Sequence, residues 1–120
     1  ILIAEDDAAI QMIVCALLDK IGANNHYAFD NGQQLFERYQ RTHAQTALIL
    51  LDWNMPVLNG YQTIQAIRTF ESENNLPPVP VAFMSAHDAQ SSLADVMGAD
   101  TAILYKPVSA EALKKLLGIV

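Results

Sequence analysis

Residues 46–51 read Thr-Ala-Leu-Ile-Leu-Leu, an apolar run without alternation. A strand with one wet face alternates apolar and polar residues, whereas an unbroken run suits a strand buried on both faces, as in parallel sheets covered by helices. The rest of the chain agrees with that reading. Ile1 to Ala4, His26 to Phe29, Val79 to Met84 and Ala102 to Tyr105 have strand character, and stretches of helical period separate them. Five such pairs predict an α/β fold, a five-stranded parallel sheet with helices on both faces, in which 46–51 is central and the more polar His26–Phe29 is an edge.

The first helix is the best marked. Ile10, Ile13, Val14, Leu17, Leu18 and Ile21 recur at the spacing of one helical face, with Asp7 as its N-cap and Gly22 as its stop. A second helix from about Gly32 to Arg41 carries Leu35, Phe36 and Tyr39 on one side. A third turns Tyr61, Ile64, Ile67 and Phe70 inward and ends at Asn74, before the pair Pro77-Pro78. A weaker one is expected over Ala89–Met97, stopped by Gly98, and a last one from Ser109 carries Leu113, Leu116 and Leu117.

With 120 residues and 52% hydrophobic content the chain suits one domain, 1–120, around one core. A net charge of -6 opposes nucleic acid and anionic membrane as direct partners and favours a bound cation. The single Cys15 cannot form an intramolecular disulfide, which is compatible with a reducing, cytoplasmic setting. No run of about 18 apolar residues is present to span a bilayer. The chain opens in a strand without an initiator Met, so a trimmed segment of a larger protein is expected.

In open α/β sheets ligands bind outside the carboxyl ends of the strands. Those ends carry Glu5 and Asp6, Asp52, Ser85 and Lys106. Two like charges about 4 Å apart repel by roughly 4 kcal/mol at an effective dielectric near 20, so three carboxylates in one pocket call for a cation. Hard oxygen ligands suit Mg²⁺, with Asp6 and Asp52 as direct ligands and Glu5 acting through water. The alternative pairs Asp6 with Asp7; Glu5 with Asp6 leaves Asp7 for the helix cap. Ser85 and Lys106 supply the donors that a phosphoryl group needs on its far side. Helix capping alone needs one acid, and His26 and His43 lack zinc-like spacing, so both read as surface residues.

The ordered segments Ile-Leu-Ile-Ala-Glu-Asp-Asp, Leu-Leu-Asp-Trp-Asn-Met-Pro-Val-Leu-Asn-Gly, Phe-Met-Ser-Ala and Tyr-Lys-Pro resemble those of response-regulator receiver domains, over essentially the whole chain. The segment from Asp52 to Gly60 is especially similar to that of stand-alone chemotaxis regulators. The resemblance implies the flavodoxin-like (β/α)5 receiver fold of two-component signalling. It also implies that a histidine kinase or histidine phosphotransfer protein donates a phosphoryl group from phosphohistidine to Asp52, with Mg²⁺ present, and that the phosphoprotein slowly dephosphorylates itself. By the same likeness the Asn54 carbonyl joins Asp6 and Asp52 at the metal, and the Ala86 N–H joins Ser85 and Lys106 at the phosphoryl group. Asn54 and His87 flank the path of the hydrolysing water, and Lys106–Pro107 is cis. Trp53, next to the acceptor, should report ligand binding by its fluorescence.

One departure concerns the conformational switch that works with Ser85. The family's aromatic three residues before the lysine is replaced by Ile103, and Tyr105, on the same strand face, is the candidate substitute. Output is expected through a downstream protein that reads the last two helices and fifth strand. Three other readings fit less well: a metal-dependent phosphohydrolase often needs a second acid where Asn54 stands, a receiver-fold interaction module without phosphorylation would lack pocket residues that are all present here, and a flavin or dinucleotide binder needs a Gly-rich loop that does not follow the first strand.

Overall fold

The computed structural model describes residues 1–53, 55, 57–85 and 101–118. In chain order it contains β1 (Leu2–Ala4), α1 (Ala8–Lys20), β2 (Tyr27–Phe29), α2 (Gly32–Thr42), a 3₁₀ turn (His43–Gln45), β3 (Ile49–Asp52), α3 (Gly60–Glu73), β4 (Val81–Ser85), β5 (Thr101–Tyr105) and α4 (Ala110–Leu117). The expected helix over Ala89–Met97 and its Gly98 stop lie outside the described residues.

The five strands form one parallel sheet in the order β2-β1-β3-β4-β5. This is the expected α/β architecture, with 46–51 feeding the central strand. The strand itself starts only at Ile49, because the Thr46 hydroxyl donates to the Thr42 carbonyl at 2.9 Å and ties the entry back to the end of α2. Alternate residues of the buried strands serve opposite faces. Ala4, Ile49, Leu51, Val81 and Phe83 pack with Leu35 and Tyr39 of α2 and Ile64 and Ile67 of α3. Ile3, Leu50, Ala82, Met84 and Leu104 pack with Val14 and Leu18 of α1 and Leu113 of α4.

The caps fall where the side chains can make them. Asp7 Oδ1 accepts from the Ala9 N–H at 2.9 Å, and Gly22, at φ +88°, follows α1 in the left-handed region that suits glycine. Asn59 and Gln62 form a reciprocal capping box on α3, and Ser109 caps α4. Two inward assignments are corrected. Ile13 is exposed, and so is Tyr61. One residue is about 100° of helix rotation, so Ile13 sits round the flank from Val14, and Tyr61, in the first turn of α3, lies beyond the edge of the stripe centred on Ile64, Ile67 and Glu71.

A buried carboxylate closes the far end of α3. Glu71 accepts from the Tyr39 hydroxyl at 2.7 Å, the Val79 N–H at 2.8 Å and Arg68 Nη1 at 2.8 Å. Burial, then the hydrogen bond to Glu71, raise the pKa of Tyr39, which stays a neutral donor. This knot lies at the amino end of β4, opposite the strand ends considered next.

Candidate functional site

The site is set by register. Ala4 pairs with Leu51 and Asp52 with Met84, so Glu5 and Asp52 follow on at neighbouring positions of adjacent strands, with Ser85 one residue past Met84. Backbone bonds hold these ends: the Glu5 N–H donates to the Phe29 carbonyl at 3.0 Å, Trp53 N–H to Met84 at 3.2 Å, and Lys106 N–H to Ser85 at 2.8 Å. Gly60 lets the loop after Asp52 close down, since a Cβ there would lie 2.9 Å from the Asp52 carbonyl oxygen.

Glu5 and Asp52 are buried, at 1% and 4% exposure, while Asp6 faces solvent. Each of the three offers a carboxylate oxygen within 4.8 Å of the others. Lys106 Nζ donates to Asp52 Oδ1 at 3.0 Å and lies 3.2 Å from Glu5 Oε1. Glu5 Oε2 accepts from the Asp7 N–H at 3.2 Å, but Oε1 is buried and receives no hydrogen bond of good geometry. A divalent cation suits that donor set: hard oxygens, more negative charge than one lysine offsets, and a buried Glu5 oxygen held only by its ion pair with Lys106. Asp7 is committed to capping α1, which leaves Glu5 and Asp6 as the acids facing Asp52.

Burial raises the Glu5 carboxyl to about 7, and the adjacent Asp52 adds to the effect, against partial opposition from the Asp7 N–H and Lys106. Lys106 is also raised: burial, the largest single influence, works against its charge, but the bond to Asp52 and the attraction of Asp52 and Glu5 together outweigh it. Because Glu5 holds its proton more tightly folded than at its ordinary 4.5, its contribution to stability is full below about 4.5 and is lost as pH rises through about 7. Cation binding has the opposite sign, since it favours the ionised acid. Mg²⁺ affinity followed by Trp53 fluorescence is expected to rise with pH up to about 7, by at most about tenfold per unit, and then level off. An affinity independent of pH would contradict this.

The remaining predicted positions are placed unevenly. Ser85 is buried at the end of β4, and its register partner is Tyr105, which is half-buried. Ile103 pairs with Phe83 and packs on the α2–α3 side of the sheet. Trp53 stands edge-on to Phe83, with ring centroids 5.3 Å apart. Pro107 is exposed and follows a cis bond. Asn54, Ala86 and His87 lie outside the described residues. Gln11, which sequence inspection passed over, donates from Nε2 to the Glu5 and Phe29 carbonyls, both at 3.1 Å, and ties the acidic turn to β2. Its one signal was a polar side chain among the apolar residues of α1.

Comparison with known proteins agrees with this geometry. The family model of the response regulator receiver domain matches residues 1–118, and the chain belongs to that family, the receiver domains of two-component signalling. It is 36% identical over 88 residues to the peroxide stress-activated histidine kinase mak1 of Schizosaccharomyces pombe, covering 72% of this chain and 5% of the kinase. It is 22% identical to the chemotaxis protein CheY1 of Helicobacter pylori, covering all of this chain and 94% of CheY1. The chain thus spans only a small part of the kinases it matches. Among solved structures, the receiver domain of Saccharomyces cerevisiae Ssk1, crystallised with the histidine phosphotransfer protein Ypd1, superposes with a TM-score of 0.80 at 28% identity, covering 95% of this chain and 82% of that one. The receiver domain of the Pseudomonas aeruginosa kinase PA1611, with a magnesium ion in its active-site cleft, gives 0.80 at 26% identity, covering 97% and 91%. Among the described residues no helix is long and apolar enough to cross a membrane.

Proposed function

We propose that Asp52 accepts a phosphoryl group from a phosphohistidine of a histidine kinase or histidine phosphotransfer protein. The observation that carries this reading is the buried Asp52 carboxylate at a strand end, with two further acids within 4.8 Å and Lys106 Nζ at 3.0 Å. An Asp52 oxygen forms the new O–P bond as the N–P bond breaks, and the imidazole nitrogen keeps the electron pair and is protonated from solvent. Asp6 and Asp52 would hold Mg²⁺ directly, with the Asn54 carbonyl, and Glu5 would act through water. Bound there, the ion neutralises charge on the phosphoryl oxygens and orients them. Lys106 pairs with those oxygens from the other side, and Ser85 and the Ala86 N–H donate to them.

The product is an acyl phosphate, which water cleaves, so the domain resets itself, with Asn54 and His87 tuning the rate. Ser85 then reports its state to β5, where Tyr105 is its register partner and Ile103 stands two residues earlier. A downstream protein reads β5 and the helices beside it, in the cytoplasm, and residues 1–120 act as one receiver domain. Relatives that include a receiver seen with a phosphotransfer protein support the choice of donor.

Incubation with acetyl phosphate and Mg²⁺ tests the proposal. Intact-mass analysis is expected to show a gain of one phosphoryl group that disappears when the metal is chelated; no gain at saturating donor would refute it. Lys106→Ala is expected to slow that gain by about 100-fold, as for other groups that stabilise transition-state charge. It should also tighten Mg²⁺ binding, because the cation that offsets Asp52 and Glu5 is gone. Equal rates in the two proteins would remove Lys106 from the mechanism.

A further inference from the structure

Asp6 is the exposed member of the three acids, and its carboxylate makes no hydrogen bond or ion pair among the described residues. Glu5 and Asp52, by contrast, are buried and paired with Lys106. The placement of Asp6 is therefore set by the backbone on either side of it. That backbone lies past the register of β1, which ends with Ala4 opposite Phe29, and before α1, which begins at Ala8. A turn in that position has neither a ladder nor a helix to hold it, and its carbonyls must find their donors elsewhere.

One side chain supplies what the turn lacks. Gln11 Nε2 donates to the Glu5 carbonyl and to the Phe29 carbonyl, both at 3.1 Å, so both amide hydrogens are used. The Phe29 carbonyl also accepts from the Glu5 N–H at 3.0 Å, and the Gln11 N–H donates to the Asp7 carbonyl at 2.9 Å. Gln11 thus fixes the carbonyls on both sides of Asp6, one by its side chain and one by its main chain, and fastens the turn to β2. Any residue here would make the main-chain bond, but the side-chain pair needs a donor of this length. Gln, Leu and Met support a helix almost equally well, and the position is half-buried, so neither helix formation nor burial calls for an amide. Ligands held in place before the ion arrives bind it without an ordering penalty, and the groups that hold them are worth roughly 10–100-fold in metal affinity.

We infer that Gln11 is a positioning residue for the metal: by clamping the turn between β1 and α1 to β2, it holds Asp6 where Mg²⁺ can be coordinated. The inference rests on the reading of Asp6 and Asp52 as metal ligands. Gln11→Met keeps the length and the helix but not the donor. Gln11→Asn keeps the amide but is one methylene too short to reach both carbonyls. Mg²⁺ titrations followed by calorimetry and by Trp53 fluorescence are expected to show a Kd raised about tenfold in both variants. Phosphorylation by acetyl phosphate should need correspondingly more Mg²⁺ for half its maximal rate, yet reach a rate within about threefold of wild type at saturation. A merely structural role would not produce that split, and Tyr39→Phe is the control. It removes a buried hydrogen bond to Glu71 at the opposite end of the sheet, so it should lower the melting temperature and leave Mg²⁺ affinity unchanged. Wild-type Mg²⁺ affinity in both Gln11 variants would overturn the inference and leave the reading of Asp52 as acceptor intact. An equal loss of affinity in Tyr39→Phe would also overturn it, as would a fall in rate that saturating Mg²⁺ does not recover. A wild-type chain that binds no Mg²⁺ would overturn the metal reading and this inference together.

Discussion

Asp52→Asn is expected to abolish the magnesium-dependent gain of phosphoryl mass while leaving the fold intact. An amide of the same shape offers no anionic nucleophile, and it takes one carboxylate from the group of three that gathers at the strand ends. Wild type and variant, exposed to the same acetyl phosphate and Mg²⁺, should therefore differ by at least about 100-fold in rate, a difference of some 2.7 kcal/mol in barrier. The fold should not suffer. Asp52 is a buried acid whose proximity helps raise the Glu5 carboxyl, so neutralising it relieves crowding. A melting temperature at or above that of wild type, with no modification, is the combined result expected. A variant that still gains the phosphoryl group at the wild-type rate would place the acceptor elsewhere.

Glu71→Ala is expected to act in the opposite way, on stability and not on chemistry. Its carboxylate binds the Tyr39 hydroxyl, the Val79 N–H and Arg68 Nη1, and it is 3% exposed. Truncation leaves two buried donors without an acceptor, a guanidinium without its counter-charge and a void beneath α3. Losses of this kind amount to about 3–5 kcal/mol, or a fall in melting temperature of roughly 10 °C or more for a domain of this size. Glu71→Gln keeps an acceptor for Tyr39 and Val79 and should lose about half as much. Thermal unfolding followed by circular dichroism measures both. Well below its melting point the Ala variant should still accept phosphate normally, because the knot lies at the opposite end of the sheet from Asp52. An alanine variant as stable as wild type would mean that water replaces the carboxylate at no penalty.

How much of this was legible beforehand depended on range. The unbroken apolar run before Asp52 carried the parallel sheet, since burial on both faces leaves no room for alternation, and reading polar groups at strand ends then picked out Glu5, Asp6, Asp52, Ser85 and Lys106. Asp7 could be separated from its neighbours because a cap uses local geometry, two and three residues away. Long-range pairings left less trace. Tyr39 and Glu71 are 32 residues apart, and a glutamate in a helix ordinarily reads as solvated; its place on the stripe of Ile64 and Ile67 was the available clue. Ile13 and Tyr61 misled because periodicity marks a face without giving its width.

The most direct measurement is the position of the phosphoryl group. Borohydride reduces an acyl phosphate to an alcohol, so treatment of the phosphorylated chain followed by peptide mass mapping marks the acceptor carboxyl. Conversion at residue 52 alone, dependent on Mg²⁺, is the predicted result. A phosphate that survives borohydride on Ser85 or a histidine, with residue 52 unmodified, would contradict the account.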